Sequence, residues 1–139
     1  MRKSFPFSTL ILGLMGVGTL LIIFLSWKGN PNIGEWSWLP EPLTRWADEQ
    51  ENDQIRTAVP FIGLGLVLGV FLMLHKATEI VHWLWAIMAL SFVVALAELG
   101  QFFIPTRHLD VVDILWGIMG AAFGLFFPLM LWRIKQIKD

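Results

Sequence analysis

The order of apolar and polar residues divides the chain into four long apolar segments separated by polar stretches. About 20 helical residues cross the ~30 Å of hydrocarbon in a bilayer, and each segment is close to that length. A backbone in lipid must satisfy its own hydrogen bonds, and these segments are too long for barrel strands, so the pattern predicts helices. We therefore expect an all-α, polytopic membrane protein whose four transmembrane helices span about Phe5 to Trp27, Ala58 to Leu74, Val81 to Ile104 and Val112 to Trp132.

The longest polar stretch, residues 28–57, connects the first two apolar segments and forms the predicted outer loop. Its first half is rich in Gly, Pro and Asn and contains two tryptophans, which is typical of turns close to lipid headgroups. From Pro42 onward, apolar residues recur at helical spacing opposite acidic ones, as do Leu43, Trp46 and Ala47. This pattern predicts a short interfacial helix in the outer loop. Whether the loop is only anchored by its tryptophans or also binds a partner stays open.

Composition supports a membrane location and argues against several functions. The 139 residues form one expected domain, 1–139, with 56% hydrophobic and 15% charged residues and a mean hydropathy of +0.66, more apolar surface than a soluble core of this size can bury. The chain contains no cysteine, which excludes disulfides and thiolate metal sites. The net charge of -1 gives no attraction to nucleic acid. No phosphate-binding loop, serine nucleophile motif or HExxH pattern occurs, so no metal or cofactor is predicted and enzymatic activity stays undecided.

The distribution of Lys and Arg predicts the orientation in the membrane. Four basic residues fall in the outer loop and a short turn, namely Lys28, Arg45, Arg56 and Arg107. The other six fall in short segments on the opposite side, namely Arg2, Lys3, Lys76, Arg133, Lys135 and Lys138. Because basic residues collect on the cytoplasmic side of a membrane, both termini are expected to be cytoplasmic.

Small residues indicate where the helices meet. On the fourth helix Gly117, Gly120, Ala121 and Gly124 share one face, and Gly65 and Gly69 repeat the small-xxx-small spacing on the second. Such spacing lets two backbones approach closely, so these faces are expected to be buried. On the third helix the stripe of Ser91, Ala95 and Glu98 is expected to face the other helices.

A polar cluster interrupts the boundary between the third and fourth apolar segments. Glu98 lies six residues before Ile104, which places it roughly 10 Å below the outer end of the predicted helix at ~1.5 Å per residue. Gln101 shares its face, and Arg107 follows in a turn that lets its side chain fold back over Glu98. An ionisable residue within the membrane indicates a functional site by default. The candidate binding residues are Glu98, Gln101, Arg107, Asp110 and Asp113.

Structural roles stay open for the same residues. Asp110 stands where the N-cap of the fourth helix belongs, and Asp113 follows at the spacing of a capping box. Glu98 and Arg107 can also form a buried pair that only fixes how the third and fourth helices join. Haem or chlorophyll ligation by His75 and His82, seven residues apart, is disfavoured because both lie near the predicted inner connection.

The segment ELGQFFIPTRHLDVVDILWGIMGAAFG, residues 98–124, resembles the hallmark segment of the VanZ-like family of bacterial integral membrane proteins. In that family a Glu-x-x-Gln, a Pro-x-Arg, an Asp-x-x-Asp and a Gly-x-x-x-Gly recur in this order. The chain differs at Gly117, where family members often carry Asn, and at Asp53 to Thr57, which read DQIRT in place of Asp-Lys-x-x-His. The matching residues are Glu98, Gln101, Pro105, Arg107, Asp110, Asp113, Gly120 and Gly124.

The resemblance implies a protein of the bacterial cytoplasmic (inner) membrane with a role in the cell envelope or in glycopeptide antibiotic resistance. The chemistry of the cluster favours binding: Arg107 can hold a phosphate or carboxylate with two hydrogen bonds, Gln101 can orient it, and Glu98 can exchange a proton. The expected ligand is the headgroup of an anionic membrane lipid or cell-envelope glycolipid in the outer leaflet. The alternative is a non-catalytic scaffold subunit whose partners are the protein subunits of a larger membrane complex.

Overall fold

The structure is a computed structural model that describes residues 5–77 and 79–138. This part of the chain is helical and contains no strand. All helices except the second are long and apolar enough to cross a membrane, so the predicted all-α architecture with four spans is confirmed. The elements are α1 (Phe5–Ser26), α2 (Glu41–Asp48), a 3-10 turn (Gln50–Asn52), α3 (Asp53–Leu74), α4 (Ile80–Gln101) and α5 (Val111–Lys138).

The short helix α2 lies in the loop between the first two spans, where the sequence predicts it. Pro42 occupies its first turn, a position at which the missing N–H of proline is not needed. Thr44 and Ala47 are its buried residues, whereas Leu43 is 46% exposed.

Of the basic residues assigned to the cytoplasmic side, Arg2 and Lys3 lie outside the described residues.

Three helix ends differ from the predicted ones by three residues or more. The fourth span, predicted to end at Trp132, continues as α5 to Lys138 through the polar residues that follow the apolar run. α3 begins at Asp53, before the apolar run, and an Asp53–Arg56 salt bridge of 2.9 Å joins the side chains of its polar first turn. α4 ends at Gln101 and not at Ile104: the next three backbone N–H groups bond to carbonyls three residues back and form a tight turn. Pro105 follows this turn, and a residue that precedes proline is disfavoured in helical conformation. The apolar pattern alone therefore misplaces three boundaries. It includes the apolar turn after α4, and it leaves out the polar helical residues at the start of α3 and at the end of α5.

The helices α3 and α5 run in the same direction and approach each other most closely at their small residues. A Cβ atom on Gly65 would lie 3.0 Å from the backbone nitrogen of Leu125, tighter than ordinary contact. Cβ atoms on Gly120 and Gly124 would collide with the backbone of Ala58 and Ile62, respectively. The predicted small-residue faces are thus buried and form the α3–α5 interface.

The remaining two spans pack around this pair to different extents. α4 contributes the completely buried Val94 to the apolar core. α1 is attached more loosely. Trp27, the residue after its end, donates a hydrogen bond from its indole N–H to the Ala97 carbonyl over 3.1 Å, but within α1 Val17 and Leu20 are 66% and 68% exposed. A bond of 3.2 Å between Ser8 and His75 joins the other end of α1 to the end of α3.

One end of the bundle, which we call the loop end, carries residues 27–52 and 102–110. Its long loop is closed by hydrogen bonds to the backbone. The Asp48 carboxylate accepts from the amides of Ile33 and Gly34 over 2.9 and 2.8 Å, and Arg56 donates to the Ala47 carbonyl over 2.7 Å. These bonds hold α2 against the start of α3 and cover the loop end.

Candidate functional site

A cavity of about 390 Å³ lies at the loop end, between α1, α2, α3 and the α4–α5 connection. Much of its wall is apolar and comes from α1, α2 and α3, with Leu21, Leu25, Leu43, Trp46 and Phe61 among the contributors. Its charged and amide side chains are Lys28, Arg56, Glu98, Gln101, Arg107 and Asp113. The cavity therefore combines an apolar wall with charges of both signs.

Glu98 is the most deeply buried charged residue in this wall. It is 3% exposed, and Gln101, one helical turn further along α4, is 7% exposed. The Gln101 amide donates to one carboxylate oxygen of Glu98 over 3.1 Å, whereas the other oxygen, Oε2, is buried and has no hydrogen-bond partner among the described residues.

The predicted depth of Glu98 needs a correction. Because α4 ends at Gln101, Glu98 lies three residues from the helix end, or about 5 Å, and not the roughly 10 Å expected from a helix reaching Ile104. Its burial comes from the neighbouring spans and the loop that surround it, and not from its depth along α4.

Arg107 lines the same cavity and interacts electrostatically with Glu98, but the two side chains form no direct pair. The guanidinium forms no salt bridge with Glu98 within the described part of the chain. Its Nη2 instead donates to the carbonyl of Ser26 over 3.2 Å. Ser26 ends α1, where carbonyl groups lack helical partners and carry partial negative charge. The short connection after α4 brings Arg107 to this helix end, and neighbouring Thr106 donates to the Gly29 carbonyl over 2.7 Å.

The Arg107 guanidinium is only partly satisfied by this contact. Its Nε is buried and has no hydrogen-bond partner among the described residues. Burial, and secondarily the nearby charge of Arg56, lowers the pKa of Arg107. An arginine nevertheless remains protonated in proteins, so the cavity wall holds a permanent, incompletely solvated positive charge.

The two aspartates have different surroundings. Asp110 is exposed, does not line the cavity, and accepts a hydrogen bond from the backbone N–H of Val112 over 2.8 Å, so its predicted role as N-cap of α5 is confirmed. Asp113 is half-buried and lines the cavity, and no salt bridge or hydrogen bond to its carboxylate occurs in the described part of the chain. Four of the five candidate residues are thus brought together, and Asp110 is not.

Two basic residues of the cavity were missed as site residues by sequence reasoning. Lys28 follows the first apolar segment and Arg56 precedes the second, and both entered the prediction only as charges in the outer loop. Each already has a carboxylate partner: Lys28 pairs with Glu35 over 3.2 Å and Arg56 with Asp53. Their position beside the ends of apolar segments is the one signal that could have indicated them.

The histidines considered as pigment ligands lie away from this cavity. His75 follows α3 and bonds to Ser8 and the Phe71 carbonyl, and His82 lies in the first turn of α4, near the Glu79 carbonyl. Over residues 5–77 and 79–138, no three or more His, Asp or Glu side chains are grouped so that they could hold a metal ion.

No protein-family model, curated protein or solved structure matches the chain. The fold and the site define the class of protein. It is a multi-pass helical membrane protein with a partly polar cavity at one end of its bundle.

Proposed function

We propose that the protein binds the headgroup of a membrane lipid or cell-envelope glycolipid, through an anionic group of that headgroup, in the cavity at the loop end. The observation that carries this proposal is that Glu98 Oε2 and Arg107 Nε are both buried, both lack a hydrogen-bond partner among the described residues, and both belong to side chains of the cavity wall. Leaving a buried polar group unpaired costs about 1–3 kcal/mol, so a ligand that pairs with both groups recovers that free energy on binding.

Arg107 is the residue best placed to receive the anionic group. Of the three basic side chains in the cavity wall, Lys28 and Arg56 have carboxylate partners and Arg107 has none within the described chain. A guanidinium binds a phosphate or carboxylate with two parallel hydrogen bonds, and it does so best where water is excluded. Gln101, already bonded to Glu98, adds an amide oxygen that can accept from the headgroup.

For the cellular setting we propose a VanZ-like protein of the bacterial cytoplasmic membrane, with both termini cytoplasmic and a role in the cell envelope or in glycopeptide resistance. Four successive spans leave Lys76, Arg133 and Lys135 at the end opposite the loop end, which agrees with the preference of basic residues for the cytoplasmic side. Glu98 and Arg107 both belong to the segment that resembles the VanZ-like family, and both line this one cavity, which supports the family proposal. The cavity would then face the outer leaflet.

The binding proposal is tested by purifying the protein in a mild detergent and identifying retained lipid by native mass spectrometry. We expect Arg107→Gln to lose retained lipid at least about tenfold, because it removes the one basic side chain of the cavity wall that has no carboxylate partner among the described residues. The matched control is Arg45→Gln, since Arg45 lies on the exposed side of α2 and pairs with Glu41 outside the cavity. Equal retention by both variants would overturn the proposal.

The second candidate is the scaffold subunit, and the surface of α1 favours it. No atom lies within 4 Å of a Cβ placed on Gly13 or Gly16, so this helix presents small residues that no other described residue covers. Small-residue faces are common contact points between membrane helices. A protein that copurifies in fixed stoichiometry and is lost on Gly16→Leu, with lipid retention unchanged, would favour the scaffold over the lipid site.

A further inference from the structure

The charges of the cavity wall restrict which headgroup it can hold. After Lys28 and Arg56 are assigned to their carboxylate partners, the wall retains Arg107, Glu98 and Asp113 without a salt bridge among the described residues. A purely anionic headgroup on Arg107 would add negative charge beside two carboxylates. Like charges that share a poorly solvated site repel strongly, so such a ligand is disfavoured. A headgroup with its own positive charge avoids this repulsion.

Glu98 also specifies the kind of positive group. Its Oε2 atom is buried and unpaired in a residue that is 97% covered, and a carboxylate oxygen in this state requires a hydrogen-bond donor. A primary ammonium supplies three N–H donors, whereas the trimethylammonium group of choline supplies none. The site thus favours an amine that carries hydrogens and belongs to the same headgroup as the anion, because Glu98, Asp113 and Arg107 line one cavity.

Resting on the proposed lipid-binding function, we propose that the ligand is a phospholipid with a phosphoethanolamine headgroup, its phosphate bound by Arg107 and its primary ammonium by Glu98 and Asp113. This assignment pairs both unpartnered buried atoms with one molecule and leaves the net charge of the wall unchanged.

The apolar part of the wall supports a lipid over a soluble phosphoethanolamine. Leu21, Leu43 and Val59 line the cavity and are also 52%, 46% and 45% exposed, so the wall continues onto the outer surface of the bundle at α1, α2 and α3. A volume of about 390 Å³ is near the lower end of small-molecule sites, roughly 300–1,000 Å³. It fits a headgroup and the glycerol region, while the acyl chains extend along the exposed apolar residues into the bilayer.

The test is a competition in mixed micelles that contain equal amounts of phosphatidylethanolamine, phosphatidylcholine and phosphatidylglycerol with matched acyl chains. Native mass spectrometry then counts which lipid stays bound to the intact protein. We expect phosphatidylethanolamine to be retained about tenfold or more over each of the others, because only this headgroup carries both a phosphate and a hydrogen-bearing amine. Glycerophosphoethanolamine, which lacks acyl chains, should displace it only at more than about 100-fold higher concentration, since each buried methylene adds affinity.

Two variants test the residues. Glu98→Gln keeps the size of the side chain but removes its charge, so the preference for phosphatidylethanolamine over phosphatidylglycerol should fall about tenfold. Asp113→Asn should change the preference in the same direction. Asp113 is half-buried and its carboxylate has no bond to lose among the described residues, so this variant tests the inference even if Glu98→Gln fails to fold. Glu51→Gln, on the exposed 3-10 turn, is the matched control and should leave the preference unchanged.

The outcomes separate this inference from the function on which it rests. Equal retention of phosphatidylethanolamine and phosphatidylcholine, or stronger retention of phosphatidylglycerol, overturns the amine assignment and leaves lipid binding through Arg107 intact. Equal competition by glycerophosphoethanolamine overturns the lipid as the source of the headgroup. Retention of no lipid by the wild-type protein overturns the inference and the proposed function together.

Discussion

Replacing Gly124 with Ala tests the closest helix contact of the protein with a single methyl group. The added Cβ would lie 2.9 Å from the backbone nitrogen of Leu66 and 3.0 Å from the Cα of Gly65, and closer still to the Ile62 carbonyl. All of these are backbone atoms of α3, which cannot rotate away as the end of a side chain can. The two helices must therefore separate by about half an ångström or more along this contact, because ordinary van der Waals contact begins near 3.4 Å.

Two opposing effects set the size of the change. Overpacking a close contact costs typically about 1–3 kcal/mol. Alanine in turn stabilises a helix by up to about 1 kcal/mol relative to glycine. We expect Gly124→Ala to lower the free energy of unfolding by about 1–2 kcal/mol. The matched control is Gly63→Ala on α3, where no atom lies within 4 Å of the new Cβ, so that only the helix-favouring effect remains and stability should stay equal or rise.

The measurement is unfolding of the purified protein in mixed micelles by increasing SDS, followed by tryptophan fluorescence. The chain has eight tryptophans, and Trp83 and Trp132 lie buried with ring centroids 6.3 Å apart, so loss of packing is visible in the emission. If Gly124→Ala and Gly63→Ala unfold at the same SDS fraction, the glycines of α5 are not held against α3 and the arrangement of the spans described above is wrong.

Three further predictions address the cap, the polar pair and the topology. Asp110→Ala should destabilise the protein by about 1 kcal/mol, measured by the same unfolding assay, because it removes the acceptor for the Val112 N–H, and Asp110→Ser should restore most of the loss. In lipid-free protein, a double-mutant cycle of Glu98→Gln and Arg107→Gln should give a coupling below about 1 kcal/mol, since no salt bridge joins the two side chains; a coupling of several kcal/mol would restore the direct pair. Because the chain contains no cysteine, single cysteines at Trp38 and Lys76, both exposed, can be labelled in whole cells by an impermeant maleimide, and only the cysteine at position 38 should react if the loop end faces outward.

The apolar pattern was sufficient for the number and order of the spans because each crossing must be apolar over most of its length. The spacing of small residues was sufficient for the helix contacts at Gly65, Gly120 and Gly124. In lipid, small residues mark the helix faces that are buried against other helices, as large apolar residues do in water. Helix ends were less well predicted, because Asp53 begins α3 in polar sequence and the turn after Gln101 is apolar. Apolarity reports burial in lipid and does not report helical conformation.

The composition of the site was partly predictable, and its contacts were not. Glu98 and Gln101 share a helix face by spacing alone, so their proximity follows from the sequence. The contact of Arg107 with Ser26 joins residues 81 positions apart and depends on where α1 ends relative to α4. Lys28 and Arg56 enter the cavity wall for the same reason, because the folded loop brings together segments that are distant along the chain. Local spacing contains no information about such contacts.

The division of the bundle into a tightly and a loosely packed half explains how a ligand could reach the cavity. The α3–α5 pair fixes Arg56 and Asp113 on one helix each, through backbone contacts at glycine that allow little movement. α1 supplies much of the apolar wall, yet near the loop end Ile22 is its one buried side chain among the described residues. Two hydrogen bonds, from Trp27 to Ala97 and from Arg107 to Ser26, complete its attachment there. Segments with few buried contacts open at a lower free energy than the core, so entry of the proposed lipid would move α1 and leave Glu98 and Asp113, which lie on α4 and α5, in place. The hydrogen bond from Arg107 to Ser26 would then couple binding to this movement. A headgroup whose phosphate attracts the guanidinium would weaken the bond that holds the end of α1 against the cavity.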